Sequence, residues 1–149
     1  MKGPGPVSDF RFQPLEMGDL AEVIQFWRGM EGIGLSESDS YSALSSYLRR
    51  NPGMSWVVRN RDREVIGAVL CGHDGRRGTL HHLAVARDSR RQGIGRALVE
   101  RCLSSLREQK ILKCNLFLFS HNAEGEAFWK QIGWKTREDL SLMQVVLRP

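Results

Sequence analysis

The stretch VARDSRRQGIGRALVE, Val85 to Glu100, decides how this chain reads. A basic turn runs into Gly93-Ile94-Gly95, and an apolar stripe at Ile94, Ala97, Leu98, Cys102 and Leu106 follows at helical spacing. Thr79 to Val85, just before it, reads as a strand. The first N–H groups of a helix have no internal partner. They point out of its end, where the macrodipole places roughly half a positive charge. Glycines there carry no Cβ, so a ligand can approach the backbone closely. Arg90, Arg91 and Arg96 add fixed charge around the same point. The segment therefore reads as a site for a phosphate or pyrophosphate. Two familiar phosphate loops are excluded. No GxxxxGK(S/T) pattern occurs, and GxGxxG would need a glycine where Leu98 stands.

Working outward, DFRFQPL alternates as a first strand stopped near Pro14. Asp19 stands three residues before Glu22, a capping-box variant, and Leu20, Val23, Ile24 and Trp27 follow at helical spacing. A second helix is expected after Ser38, with Tyr41, Leu44 and Leu48 on one face and Asn51-Pro52-Gly53 ending it. Strands are expected over Met54–Arg59 and Val65–Cys71, the latter nearly all apolar and so central in a sheet. GHDGRRG reads as a turn. Beyond the long helix, Cys114–Phe119 reads as a strand, Asn122–Gly133 as a short helix, and Leu140–Leu147 as a final strand. The order predicts a mixed α/β sheet. Consecutive strands with short turns are antiparallel, and the later strand–helix–strand unit gives a parallel pair.

The chain has 149 residues, enough for one domain with a sizeable core. We expect a loose Gly/Pro leader over residues 1–9 and a single domain over residues 10–149. Hydrophobic residues make up 41% and charged residues 26%, a balance ordinary for soluble domains. No apolar run approaches a membrane span, and the start lacks a signal-peptide pattern. The net charge of +5 permits anionic partners without naming one. Cys71, Cys102 and Cys114 are odd in number and lack CxxC spacing, which reads as reduced core thiols, a cytoplasmic setting and no zinc site.

With these residues in place, the sequence resembles the GNAT superfamily of acetyl-CoA-dependent N-acetyltransferases. The family signature Arg/Gln-x-x-Gly-x-Gly/Ala stands here as Arg90-Arg91-Gln92-Gly93-Ile94-Gly95, after HHLAV, which resembles the usual fourth strand. A second element, Asn-x-x-Ala-x-x-Phe-Tyr-x-x-x-Gly-Phe, appears as NAEGEAFWKQIGW, Asn122 to Trp134. The resemblance covers Phe10 to Leu147 and is closest to small, single-domain bacterial members. It implies a mostly antiparallel central sheet, flanked by helices, whose fourth and fifth strands splay apart around acetyl-CoA. Leu83-Ala84-Val85 would line the acetyl-pantetheine arm, with backbone groups of Leu83 and Val85 bonding it like an added strand. Amides from Arg91 to Arg96 (Gln92, Gly93, Ile94 and Gly95 between them) would hold the pyrophosphate, with Arg90 beside them. Asn122 would contact the pantetheine or pyrophosphate side. Homodimers are frequent among relatives, so a homodimer is compatible with the resemblance.

Direct acetyl transfer needs a neutral amine, and a lysine-type amine has a pKa of about 10.4. Deprotonating it at neutral pH amounts to roughly 4–5 kcal/mol, so a base or a desolvating site helps. His81 and His82 are the candidates. Neighbouring strand residues face opposite sides, so a regular strand turns only one into the cleft. His81 shares its face with Leu83 and Val85 and is favoured; a bulge would swap the choice. A backbone N–H near Leu83 would stabilise the carbonyl oxygen. Glu31, Glu37 and Asp39, between the first two helices, are candidates to attract a cationic amine or simply to cap and solvate the loop. One departure stands out. Many relatives place a tyrosine four residues before the glycine of the second motif, proposed to protonate the departing thiolate. Here that position is Trp129, whose indole N–H donates but is no acid near neutral pH. A thiol of pKa around 8.5 leaves as thiolate without large penalty, and Trp129 also reads as an aromatic filling space beside the cofactor.

The leading reading is an acyltransferase moving acetyl from acetyl-CoA to a primary amine of a small molecule, peptide or protein, with no metal. The alternative is a non-catalytic acyl-CoA-binding module, which Trp129 favours. A basic nucleic-acid binder is disfavoured by the lack of zinc-finger spacing or an aromatic-basic recognition motif.

Overall fold

The computed structural model of the chain describes residues 9–148. Of the expected leader, only Asp9 falls among them. The chain divides after Phe117 into two compact units.

In the first unit, five strands lie in the order β1-β2-β3-β4-β5. They are β1 Arg11–Pro14, β2 Trp56–Arg59, β3 Val65–His73, β4 Gly78–Val85 and β5 Cys114–Leu116. The first three neighbouring pairs are antiparallel, and β4 with β5 is parallel. The parallel pair needs a crossover, supplied by helix α3, Ile94–Glu108. This is the mixed, mostly antiparallel sheet the sequence predicts.

Helices α1, Met17–Arg28, and α2, Tyr41–Arg50, cover one face. Leu20, Val23, Ile24 and Trp27 of α1 and Leu44 and Leu48 of α2 form one core with Val57, Ala68, Leu70 and Ala84 of the sheet. Each leucine, isoleucine or valine among them, fully withdrawn from water, contributes about 1.5–3 kcal/mol. Helix α3 covers the other face. A Cβ on Gly67 would lie 2.7 Å from Val58 Cγ1 and 3.2 Å from Leu98 Cδ1 of α3. Gly67 and Ala68 are successive and so face opposite sides. Gly67 is thus where α3 comes close to the sheet.

Two expectations shift at the first helices. The cap of α1 lies one turn earlier than expected: Glu16 is the N-cap, and Asp19 is its reciprocal partner. Asp19 and Glu22 are instead the two carboxylates that receive the Arg59 guanidinium, at 3.0 and 2.9 Å, joining α1 to the end of β2. On α2, Tyr41 is exposed, and Tyr47 turns inward in its place. Cys71 and Cys102 are buried and free, and Cys114 is half-buried. The neighbouring Cys71 sulfur and burial raise the Cys102 thiol, and burial pushes Cys114 up to about 12, so both stay protonated at neutral pH.

In the second unit, helix α4 spans Ala123–Gln131, opened by Asn122. It closes just before Gly133, whose φ of 101° fits the left-handed residue after a helix. Two strand expectations fail. β5 ends at Leu116 rather than Phe119, and Leu140–Leu147 forms no strand among the described residues. Leu140, Leu142, Met143, Val145, Val146 and Leu147 are exposed. Their apolar pattern supplies strand propensity, but a strand persists only where a neighbour takes up its backbone groups.

Gly67→Ala should destabilise the protein by about 1–3 kcal/mol, because the β-branched Val58 cannot easily yield. Denaturant melts check this; an unchanged midpoint would contradict the close approach.

Candidate functional site

The site is built on β4. Its pairing with β5 covers only Gly78, Thr79 and Leu80, opposite Cys114, Asn115 and Leu116. From His81 onward that edge has no β5 partner. At the same point the ladder with β3 slips: Ala68 faces Ala84, but Leu70 faces His81, leaving two β4 residues opposite Val69. This is a β-bulge, and His82 carries it with a φ of 57°.

The bulge decides which way the histidines point. His81 packs edge-on to Tyr47 of α2, with ring centroids 6.2 Å apart. His82 packs edge-on to Trp27 of α1 at 5.2 Å. Both imidazoles therefore lie on the face covered by α1 and α2, with their centroids 6.2 Å apart. A regular strand would have separated them. Burial, and then the neighbouring His82, hold the His81 imidazole below its ordinary value, so His81 is neutral at pH 7.

His82 has a partner of its own. Its Nε2 lies 2.7 Å from Asp39 Oδ1. A carboxylate only accepts, so Nε2 carries a proton toward it. The other oxygen of Asp39 accepts from the Ser36 N–H at 2.9 Å. Asp39 thus caps the short 3-10 turn Glu37–Asp39 and ties the α1–α2 connection to the bulge. Its nearly buried carboxylate is engaged rather than free to attract a cation. The sequence offered Asp39 only as a loop acid; forty-three positions separate it from its histidine.

Beyond the bulge, the Ala86 N–H donates to Ile66 C=O on β3. Backbone groups alternate along a strand, so Leu83 and Val85 address the opposite edge, the one without β5. The Val85 carbonyl there accepts from Arg90 Nε at 3.0 Å. A 3-10 turn over Arg87–Ser89 leads on to Gly93, the N-cap of α3, with a φ of 80°. Among the described residues no side chain caps α3. The amides of Ile94, Gly95 and Arg96 find no acceptor among the described residues. Arg90, Arg91 and Arg96 form no ion pair among those residues. One unit thus brings together His81, Leu83, Ala84, Val85 and the loop from Arg90 to Arg96.

Asn122 and Trp129 belong to the second unit. Asn122 Oδ1 accepts from the Gly125 N–H at 2.9 Å and caps α4, leaving its amide nitrogen as a donor. Trp129 is buried, edge-on to both Phe128 and Trp134 at 5.2 and 4.9 Å. Among the described residues, no cluster of His, Cys, Asp and Glu is placed to hold a metal, and no helix is long and apolar enough to cross a membrane.

Known proteins resemble this chain in sequence and in fold. An acetyltransferase of Sodalis glossinidius is 26% identical over 125 residues, covering 84% of this chain and 87% of that protein. A GNAT-family acetyltransferase structure from Staphylococcus aureus superposes with a TM-score of 0.74 at 17% identity, covering 89% of both chains. An N-acetyltransferase from Thermoplasma acidophilum, solved in complex with coenzyme A, gives 0.73 at 18% identity, covering 87% of this chain and 91% of that one. The profile of the Acetyltransferase (GNAT) family matches residues 20–134. The chain belongs to that family, whose activity is the transfer of an acetyl group to an amine.

Proposed function

We propose that this chain transfers acetyl from acetyl-CoA directly to a primary amine, with the reaction centred on the β4 bulge. One observation carries the reading. The open edge of Leu83 and Val85 runs from a neutral histidine at one end to an uncapped, arginine-flanked helix start at the other. The free amides of Ile94, Gly95 and Arg96 suit a pyrophosphate, and Arg90, Arg91 and Arg96 add charge to hold it. The Leu83 N–H, on the unpaired edge, stabilises charge developing on the thioester oxygen. His81 accepts the proton of the attacking amine, directly or through a water. The amine nitrogen bonds to the carbonyl carbon, the C–S bond breaks, and the sulfur departs as thiolate. No tyrosine at position 129 is needed, because a thiolate is an adequate leaving group.

Asp39 and His82 take the positioning role. Asp39 fixes the tautomer and orientation of His82, and with them the bulge and the loop over it. We place the protein in the cytoplasm on its reduced thiols.

Three outcomes follow. Gly93→Val forces a β-branched residue into a left-handed conformation and should weaken coenzyme A binding at least tenfold by calorimetry, with circular dichroism unchanged; full affinity would refute the loop assignment. His81→Ala should lower kcat/KM by about 10²–10⁴-fold. In the unaltered enzyme, kcat/KM should fall as pH drops through a value below 6.5, where His81 takes up a proton; that limb should vanish in the variant, and its persistence would remove His81 as the base. Asp39→Ala should cost about 1–3 kcal/mol in thermal melts by stripping His82 of its acceptor. It should also lower kcat more than it raises the Kd for coenzyme A, whereas equal stability and unchanged kcat would sever the link.

A further inference from the structure

A cavity meets the site from the other end of β4. It holds about 490 Å3 and lies on the α2 side of the sheet, with Tyr47, Arg50, Asp74, Arg76, Arg77 and His81 in its lining. It shares His81 with the bulge, while its arginines come from the end of α2 and from the turn joining β3 to β4. That turn is the GHDGRRG segment, to which acetyl transfer gives no role.

The lining is rich in donors and poor in acceptors. Arg50, Arg76 and Arg77 set three guanidinium groups against one carboxylate, Asp74. Asp74 is already committed: its Oδ1 accepts from the N–H groups of Arg76 and Arg77, at 2.8 and 2.9 Å, and these bonds hold its carboxyl below the usual range. None of the three guanidinium groups pairs with a carboxylate among the described residues. His73 Nδ1 accepts from the Gly75 N–H at 3.0 Å, which leaves Nε2 of the neutral ring as the donor. Burial raises the Tyr47 phenol, so its hydroxyl also remains a donor. Asn51 spends its side chain internally, its oxygen on the His73 N–H and its nitrogen on the Tyr47 carbonyl.

We infer that this cavity is the acceptor subsite and that it selects a primary amine bearing an anionic group, a phosphate or carboxylate, held by Arg50, Arg76 and Arg77. This rests on the acetyl-transfer reading and names its substrate class. From His81 back to Arg77 is four residues, about 13 Å along a strand, within which an arginine side chain can meet a short acceptor. Planar guanidinium forks bind carboxylate and phosphate in pairs of bonds. The same positive charges disfavour the ammonium form of the incoming amine and so assist its deprotonation. A cationic polyamine or a lysine among basic residues meets the wrong field.

The test has two readouts. The first compares acetylation of O-phosphoethanolamine with ethanolamine, and of 6-aminohexanoate with cadaverine. The anionic member of each pair should have at least tenfold higher kcat/KM, chiefly through KM. In an Arg76→Gln/Arg77→Gln variant that ratio should fall toward one. Equal or reversed preference in the unaltered enzyme overturns the inference. The second is calorimetric titration of inorganic phosphate at saturating coenzyme A, which keeps the pyrophosphate loop filled. Binding should weaken at least tenfold in the double variant, and binding that is absent or insensitive to it overturns the inference. If phosphate binding behaves as expected but no amine is acetylated, the acetyl-transfer reading fails and the anion site stands.

Discussion

The architecture of the site depends on one constraint: β4 gives up its second neighbour halfway along its length. Up to Leu80 it is paired with a strand on both edges; from His81, among the described residues, its only strand partner is β3. A strand open on one edge exposes a row of donors and acceptors to whatever lies beside it. In most proteins that is a liability. Here the open row leads to the start of α3, where further amides lack partners. The extra residue sits at the same place, so the strand bends where it loses its neighbour.

The bulge also settles the electrostatics. It turns two adjacent histidines toward the same helices and gives them different surroundings. His81 has aromatic neighbours, Tyr47 and Phe117, and burial favours its neutral form. His82 has a carboxylate at 2.7 Å. Two adjacent imidazoles thus sit in unlike environments, one buried among aromatic rings and the other bonded to a carboxylate. The cavity beside His81 continues along β4, with guanidinium groups bordering it near the strand's beginning and His81 at the strand's middle.

Several features were legible because their cause is local. The stripe of α3 needs only residues three and four apart, and all of Ile94, Leu98, Cys102 and Leu106 are buried. The apolar run of β3 announced a central strand, and β3 has a partner on each side. The misreadings were equally consistent in cause. Asp19 and Glu22 looked like a cap because they are three apart, yet their partner is Arg59, far along the chain. Leu140–Leu147 carried a strand-like composition but forms no strand among the described residues, because alternation alone does not supply a backbone partner.

The sequence by itself determined the family and the order of most elements, since each is written in spacing over a few residues. Only the tertiary structure decided that His81 and His82 share a face, that Asp39 belongs to His82, and that three arginines from two separate segments border one cavity. Those facts depend on strand register and on contacts between distant positions. A shift of register by one residue reverses the facing of every later side chain, and nothing in the local pattern records it.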